Sequence, residues 1–195
     1  MDFLRQFRAA PNLLTLLRLF IVPFLVIEIL DTRYRIAFAL FILAGFSDSL
    51  DGLAARLLSQ RTRLGQYLDP IADKLLLSTL FLVLTHMALV PQYVTVLVFS
   101  RDLGILVIST LLFATNTLRD FRPSLLGKLN TLAQVLGVTL VLVLQVWPGL
   151  HAGSLSLGLA RWGLLRSIAF LAPASAAQYA WIVFRRIQSP QPQPE

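Results

Sequence analysis

Asp48, Asp51, Asp69 and Asp73 fall within one stretch of an otherwise apolar chain, residues 47–74, SDSLDGLAARLLSQRTRLGQYLDPIADK. Positions three, four and seven apart share a helix face. Asp48, Asp51 and Ala55 therefore line one stripe, with Gly52 and Arg56 on its edge, while Gly65, Asp69 and Asp73 line a second. A short turn around Gln60–Arg63 makes the two helices antiparallel neighbours. Both stripes can then face a common cavity where four carboxylates converge. A carboxylate in hydrocarbon costs about 2.5–3.5 kcal/mol on insertion scales, so four together require cations. Hard divalent ions such as Mg²⁺ take oxygen ligands and keep waters that a substrate phosphate can replace. Two such ions about 4 Å apart clamp and polarise a phosphoryl centre. Gly52, Ala55 and Gly65 withdraw bulk beside the carboxylates, leaving room for a nucleotide, and Arg56 can pair with phosphate oxygens. The same small residues also suit close helix packing.

The elements that must hold these side chains are membrane spans. The chain has 195 residues, 56% hydrophobic and 14% charged, against about 25% charged in a soluble domain, and its mean hydropathy is +0.73. Apolar runs of about 20 residues, enough to cross a bilayer, occur at Leu13–Leu30, Tyr34–Leu58, Leu64–Leu89, Val94–Thr117, Leu126–Trp147 and Gly158–Phe184. The expected fold is an all-α integral membrane protein with six transmembrane helices. Met1–Ala10 sets Phe3, Leu4 and Phe7 beside Arg5 and Arg8, the pattern of a short interfacial helix ended by Pro11. Residues 1–188 read as a single membrane domain and 189–195 as a disordered tail. Pro91-Gln92 and Pro148-Gly149 break the chain between spans, and Pro23 and Pro173 should kink the spans that contain them.

The net charge is +7. Arg5, Arg8, Arg56, Arg61, Arg63, Arg119, Arg122, Lys128, Arg185 and Arg186 fall on one side and Arg33 and Arg35, with Arg161 and Arg166, on the other, which places both termini in the cytoplasm. Basic loops at an anionic leaflet account for the charge, and nucleic-acid binding is not expected. The absence of cysteine excludes disulfides, thiolate nucleophiles and thiolate metal sites. His86 and His151 are far apart near helix ends and form no ligand pair.

The frame Asp48-x2-Asp51-Gly52-x2-Ala55-Arg56-x8-Gly65-x3-Asp69-x3-Asp73 resembles the full signature of the CDP-alcohol phosphotransferases, with every fixed position matched. Pro11-Asn12-Leu13-Leu14-Thr15-Leu16-Leu17-Arg18, Ser100-Arg101-Asp102 and Lys128-Leu129-Asn130-Thr131 resemble the branch that makes phosphatidylglycerophosphate and cardiolipin. The resemblance implies a six-helix fold in which Asp48, Asp51 and Asp69, with Asp73, hold two divalent cations, Mg²⁺ or Mn²⁺. It implies that Gly52, Ala55, Arg56 and Gly65, with Asp51 and Thr15, form the nucleotide site for CDP-diacylglycerol. An acceptor hydroxyl attacks the β-phosphate, CMP leaves, and Asp73 is the expected general base. It further implies a homodimer in a bacterial inner membrane, with the site facing the cytoplasm.

Arg18, Arg101 and Lys128 lie within or just inside apolar spans, where a cation needs an anionic partner. The acceptor phosphate would supply one. For Arg101 the competing partner is Asp102, and for Arg18 and Lys128 the competing behaviour is interfacial snorkelling. Phosphatidylglycerol and glycerol-3-phosphate both present a glycerol hydroxyl and a phosphate, and the Arg101-Asp102 pair, together with Pro123-Ser124 and Gly127-Lys128-Leu129-Asn130-Thr131, looks more like the cardiolipin-forming type. Two other classes account for part of the pattern. Intramembrane prenyltransferases also hold Mg²⁺ and pyrophosphate with aspartates, but on motifs far apart. A divalent-cation transporter gives no role to Arg56.

Overall fold

A computed structural model describes residues 10–57, 63–114, 125–149 and 155–188; the side chains at residues 10–14, 48–57, 63–71, 73, 109–114, 155–156 and 186–188 are outside that description. The described residues form six helices: α1 (Ala10–Leu30), α2 (Tyr34–Leu57), α3 (Arg63–His86), α4 (Gln92–Ala114), α5 (Leu125–Val146) and α6 (Leu155–Gln188). Pro11 lies in the first turn of α1, where its missing N–H has no helical partner to lose. Pro23 and Pro173 lie inside continuous helices. The expected interfacial helix over the first residues, the turn at 58–62 and the tail from 189 lie outside the described residues.

The helix ends follow from local chemistry. After α1, Arg33 N–H donates to Glu28 C=O at 2.8 Å and Thr32 N–H to Ile29 C=O at 3.0 Å, with Thr32 at φ 58°. After α3, Leu89 donates to Leu84 at 2.9 Å and Ala88 to Thr85 at 2.9 Å, with Ala88 at φ 57°. Both ends are Schellman closures, which satisfy carbonyls that the helix leaves open. Arg33 binds Asp31 and reaches Glu28 at 3.3 Å. The hydrogen bond to Asp31, then the charge of Glu28, raise the Arg33 pKa above its ordinary value.

The chain divides into two compact units. One takes α1–α3 and returns with Val138–Leu157; the other takes Pro91–Gly137 and the chain from Gly158 onward. In the first, α1 packs against both α2 and α3, burying Ile21, Leu25 and Ile29 of α1, Ala37, Phe41 and Ala44 of α2, and Leu76, Leu80 and Leu84 of α3. These recur at three- and four-residue steps, one stripe per helix. In the second unit α6 buries Leu165, Ile168, Ala172, Ser175, Tyr179 and Val183 on one such stripe.

The outward faces are apolar as well: Phe20, Phe46, Leu125, Leu159 and Phe170 are 63–75% exposed. Leaving one such side chain in water forgoes about 1.5–3 kcal/mol, so these surfaces match a lipid solvent. Among the described residues, Leu125–Val146 and Leu157–Arg185 are long and apolar enough to cross a membrane.

Candidate functional site

The aspartate frame is carried by two consecutive helices. Asp48, Asp51, Gly52, Ala55 and Arg56 lie on the backbone of α2, and Gly65, Asp69 and Asp73 on that of α3. At 1.5 Å per residue, Asp51 and Asp48 lie about 9 and 14 Å from the Leu57 end of α2, and Asp69 and Asp73 about 9 and 15 Å from the Arg63 end of α3. All four positions thus occupy one band of axial depth beside the α2–α3 connection. Their side chains lie outside the described residues. Among the described residues no three His, Asp or Glu side chains gather into a metal-binding group.

Helix α1 brings two further predicted residues to this depth. A three-residue turn joins it to α2, so the pair is antiparallel. Arg18 and Thr15 are about 18 and 23 Å from that turn, where Asp48 and Asp51 are about 21 and 26 Å from it. Thr15 and Arg18 are 0% and 1% exposed. Arg18 is thus no snorkelling cation: its guanidinium is enclosed, at the level of the acids.

Arg101 and Lys128 belong to the other unit. Arg101 Nη1 donates to Asp102 Oδ1 at 2.6 Å and its Nε to Ser175 Oγ at 3.1 Å, while Ser175 Oγ donates to the Ala172 carbonyl at 2.9 Å. The two charged side chains are only 7% and 3% exposed. Lys128 is exposed on the first turn of α5, as snorkelling requires. Of the predicted cations, the structure therefore gives Arg101 a protein partner and leaves Lys128 facing outward.

Sequence reasoning assigned no role to Asn130, Gln134 or Ser175. All three are 0% exposed, and neither end of the Asn130 or Gln134 amide meets a hydrogen-bond partner. Two amides four residues apart inside an apolar helix were the available signal, because polar groups in a span face the protein interior. At the far end of α2, about 20 Å along the helix from Asp48, Arg33, Tyr34, Arg35 and Gln145 line a cavity of about 440 Å³. It is remote from the aspartate band.

The family model described as CDP-alcohol phosphatidyltransferase matches residues 8–172. The human protein named cardiolipin synthase (CMP-forming) is 33% identical over 187 residues, covering 87% of this chain and 60% of the relative. The Bacillus subtilis CDP-diacylglycerol–glycerol-3-phosphate 3-phosphatidyltransferase is 31% identical over 148 residues, covering 68% of this chain and 76% of the relative. A Mycobacterium tuberculosis protein named probable phosphatidylglycerophosphate synthase is 33% identical over 149 residues, 73% of this chain and 69% of the relative. The chain spans about three fifths of the length of its mammalian relatives.

Proposed function

The chain belongs to the CDP-alcohol phosphatidyltransferase family, and from that premise we propose that it moves a phosphatidyl group from CDP-diacylglycerol to the hydroxyl of a glycerol-phosphate acceptor, releasing CMP. The observation that carries the reading is the shared depth of Asp48, Asp51, Asp69 and Asp73 on α2 and α3, joined there by the enclosed Thr15 and Arg18 of α1.

Four carboxylate positions in one band, all hard oxygen donors, fit Mg²⁺ or Mn²⁺. Asp48, Asp51 and Asp69, with Asp73, would hold the cations, which when bound supply the positive charge that the donor pyrophosphate needs. Asp73 is the base that takes the proton of the attacking acceptor hydroxyl as the bond to the β-phosphorus forms and the bond to CMP breaks. Gly52, Ala55 and Gly65 leave space for the nucleotide against the backbone, with Asp51, Arg56 and Thr15 as polar contacts. Arg18 stands at a depth suited to a substrate phosphate, whereas Arg101 is held by Asp102 and Lys128 is exposed. The full set of six helices spans the bilayer of a bacterial inner membrane, both termini and the aspartates face the cytoplasm, and the protein works as a homodimer, with residues 1–188 as a single domain.

The names of the human and Bacillus subtilis relatives point to the same donor chemistry with different acceptors, so the test offers both. Purified protein receives labelled CDP-diacylglycerol and Mg²⁺ with either phosphatidylglycerol or glycerol-3-phosphate; CMP release is measured and the lipid product separated by chromatography. Cardiolipin as the product assigns the first acceptor, and phosphatidylglycerophosphate the second. No CMP release with either, or release of inorganic pyrophosphate in its place, refutes the proposal.

A further inference from the structure

The second unit contains polar groups for which its own fold has no use. Asn130 and Gln134 sit one helical turn apart on α5 with no exposed surface, and all four of their amide atoms lack hydrogen-bond partners. Each buried donor or acceptor left unsatisfied keeps the full cost of leaving water with no bond to offset it. A span can avoid that cost with Leu and Met, so two such amides on one face mark a place where hydrogen-bonding groups arrive from outside the chain.

Their surroundings define the chemistry of those groups. Helices α4 and α6 run in the same direction, because Arg101 meets Ser175 and Ile105 and Ile108, farther along α4, pack with Tyr179 and Val183, farther along α6. Helix α5 lies between them in sequence and runs the other way. Gly137 of α5 abuts Ile168 of α6, where an added Cβ would fall 2.8 Å from Ile168 Cδ1. Counting seven residues along each antiparallel helix, about 10 Å, brings Asn130 to the depth of Ser175 and hence of the Arg101–Asp102 pair. That pair is a cation and an anion in contact, so the level carries no net charge to attract a phosphate. Lys128 points elsewhere: it is two residues, about 200°, around the helix from Asn130, and is exposed where Asn130 is enclosed.

We propose that Asn130 and Gln134 form a hydroxyl-reading site, whose amides donate to and accept from the vicinal hydroxyls of a glycerol headgroup. A hydroxyl both donates and accepts, matching the two ends of a carboxamide, and a neutral site selects it over a phosphate. The assignment rests on the phosphatidyl-transfer reading, in which every acceptor considered carries a glycerol hydroxyl, and it names these two residues as determinants of acceptor specificity.

The test uses the full-length protein in detergent or nanodiscs, with Asn130→Leu and Gln134→Met as shape-preserving variants. In steady-state assays the KM for glycerol-3-phosphate or short-chain phosphatidylglycerol, whichever acceptor the wild type uses, rises about tenfold for each lost hydrogen bond. The KM for CDP-diacylglycerol does not move. In thermal melts without ligand both variants are at least as stable as the wild type, because an apolar group replaces an unsatisfied one. The rise in melting temperature that glycerol-3-phosphate gives the wild type is lost in both. Unchanged acceptor KM values, or a lowered melting temperature with both KM values unmoved, assign the amides to structure and overturn the proposal. Should a variant fail to fold, Asn130→Ser, which replaces the amide by a hydroxyl, and Gln134→Asn, which draws the amide back by one methylene, are read the same way. A wild type that releases no CMP refutes phosphatidyl transfer, and the melting arm then decides the site alone: no shift with glycerol-3-phosphate removes it.

Discussion

Replacing Asp102 with Ala tests the buried ion pair of the second unit most directly. Asp102 Oδ1 lies 2.6 Å from Arg101 Nη1, and the side chains are 3% and 7% exposed. Asp102→Ala takes away the anion that faces this guanidinium and leaves its charge in an apolar interior. Removing one partner of such a pair costs about 3–5 kcal/mol, a large share of a typical total stability of about 5–15 kcal/mol. Ser175→Ala removes the 3.1 Å acceptor of Arg101 Nε but leaves the ion pair, and should cost about 1.5–3 kcal/mol, the range for a hydrogen bond to a charged group. The double replacement Arg101→Met, Asp102→Leu removes both charges. Because desolvation offsets most of the attraction in a buried pair, it should fold with near wild-type or higher stability.

The expected order of stability is therefore double variant, then Ser175→Ala, then Asp102→Ala. Reversible unfolding in mixed micelles titrated with dodecyl sulfate measures it. Asp102→Ala within about 1 kcal/mol of the wild type, or a double variant as unstable as Asp102→Ala, would refute the reasoning. The same series tests whether Arg101 can hold an acceptor phosphate. If it can, glycerol-3-phosphate should stabilise Asp102→Ala more than the wild type, since the anion replaces the lost carboxylate.

Asp48→Ala, Asp51→Ala and Asp69→Ala should each abolish Mg²⁺-dependent CMP release, because each removes a charge that a dication requires; turnover near the wild-type rate in any of them removes that residue from the metal set. Asp73→Asn should lose turnover while CDP-diacylglycerol binding stays measurable by thermal shift, and a wild-type-like rate excludes it as the base. Thr32→Gly and Ala88→Gly should each stabilise by about 1 kcal/mol, since only glycine adopts the observed left-handed φ without steric cost; a lowered melting temperature contradicts the closure described. At Gly137, an Ala gains about 0.8–1 kcal/mol of helix propensity, while overpacking against Ile168 costs about 1–3 kcal/mol. Gly137→Ala should therefore be near neutral to mildly destabilising and Gly137→Leu clearly destabilising, as unfolding in mixed micelles would report.

What the sequence could disclose divides along physical lines. Helix extents were legible because the spans are long and the breakers strong: the run expected at Tyr34–Leu58 is the helix Tyr34–Leu57, and Leu126–Trp147 is Leu125–Val146, with Pro91 and Pro148 in the gaps. The aspartates stand out in the sequence because acids are costly in so apolar a chain, while their side chains lie outside the described residues. The partner of Arg101 was only half legible. Asp102 is adjacent, but Ser175 lies 74 positions away, and no periodicity announces a contact between α4 and α6.

Arg18 and Lys128 show where pattern reasoning stops. Each is one cation near a span end, and hydropathy alone treats them alike. The structure separates them by which face of the helix is enclosed. On α1, Arg18 falls on the stripe that continues through Ile21, Val22, Leu25 and Ile29, so the packing that buries those aliphatic groups also buries the guanidinium. On α5, the enclosed stripe passes through Asn130, Gln134 and Val138 and leaves Lys128 outside. The same geometry accounts for the missed amides: Asn130 was noticed for its neighbours in sequence, whereas its significance lies in the face it shares with Gln134. In a chain where nearly every side chain is apolar, the direction a polar residue faces says more about its use than its type, and that direction is set by which side of each helix its neighbours cover.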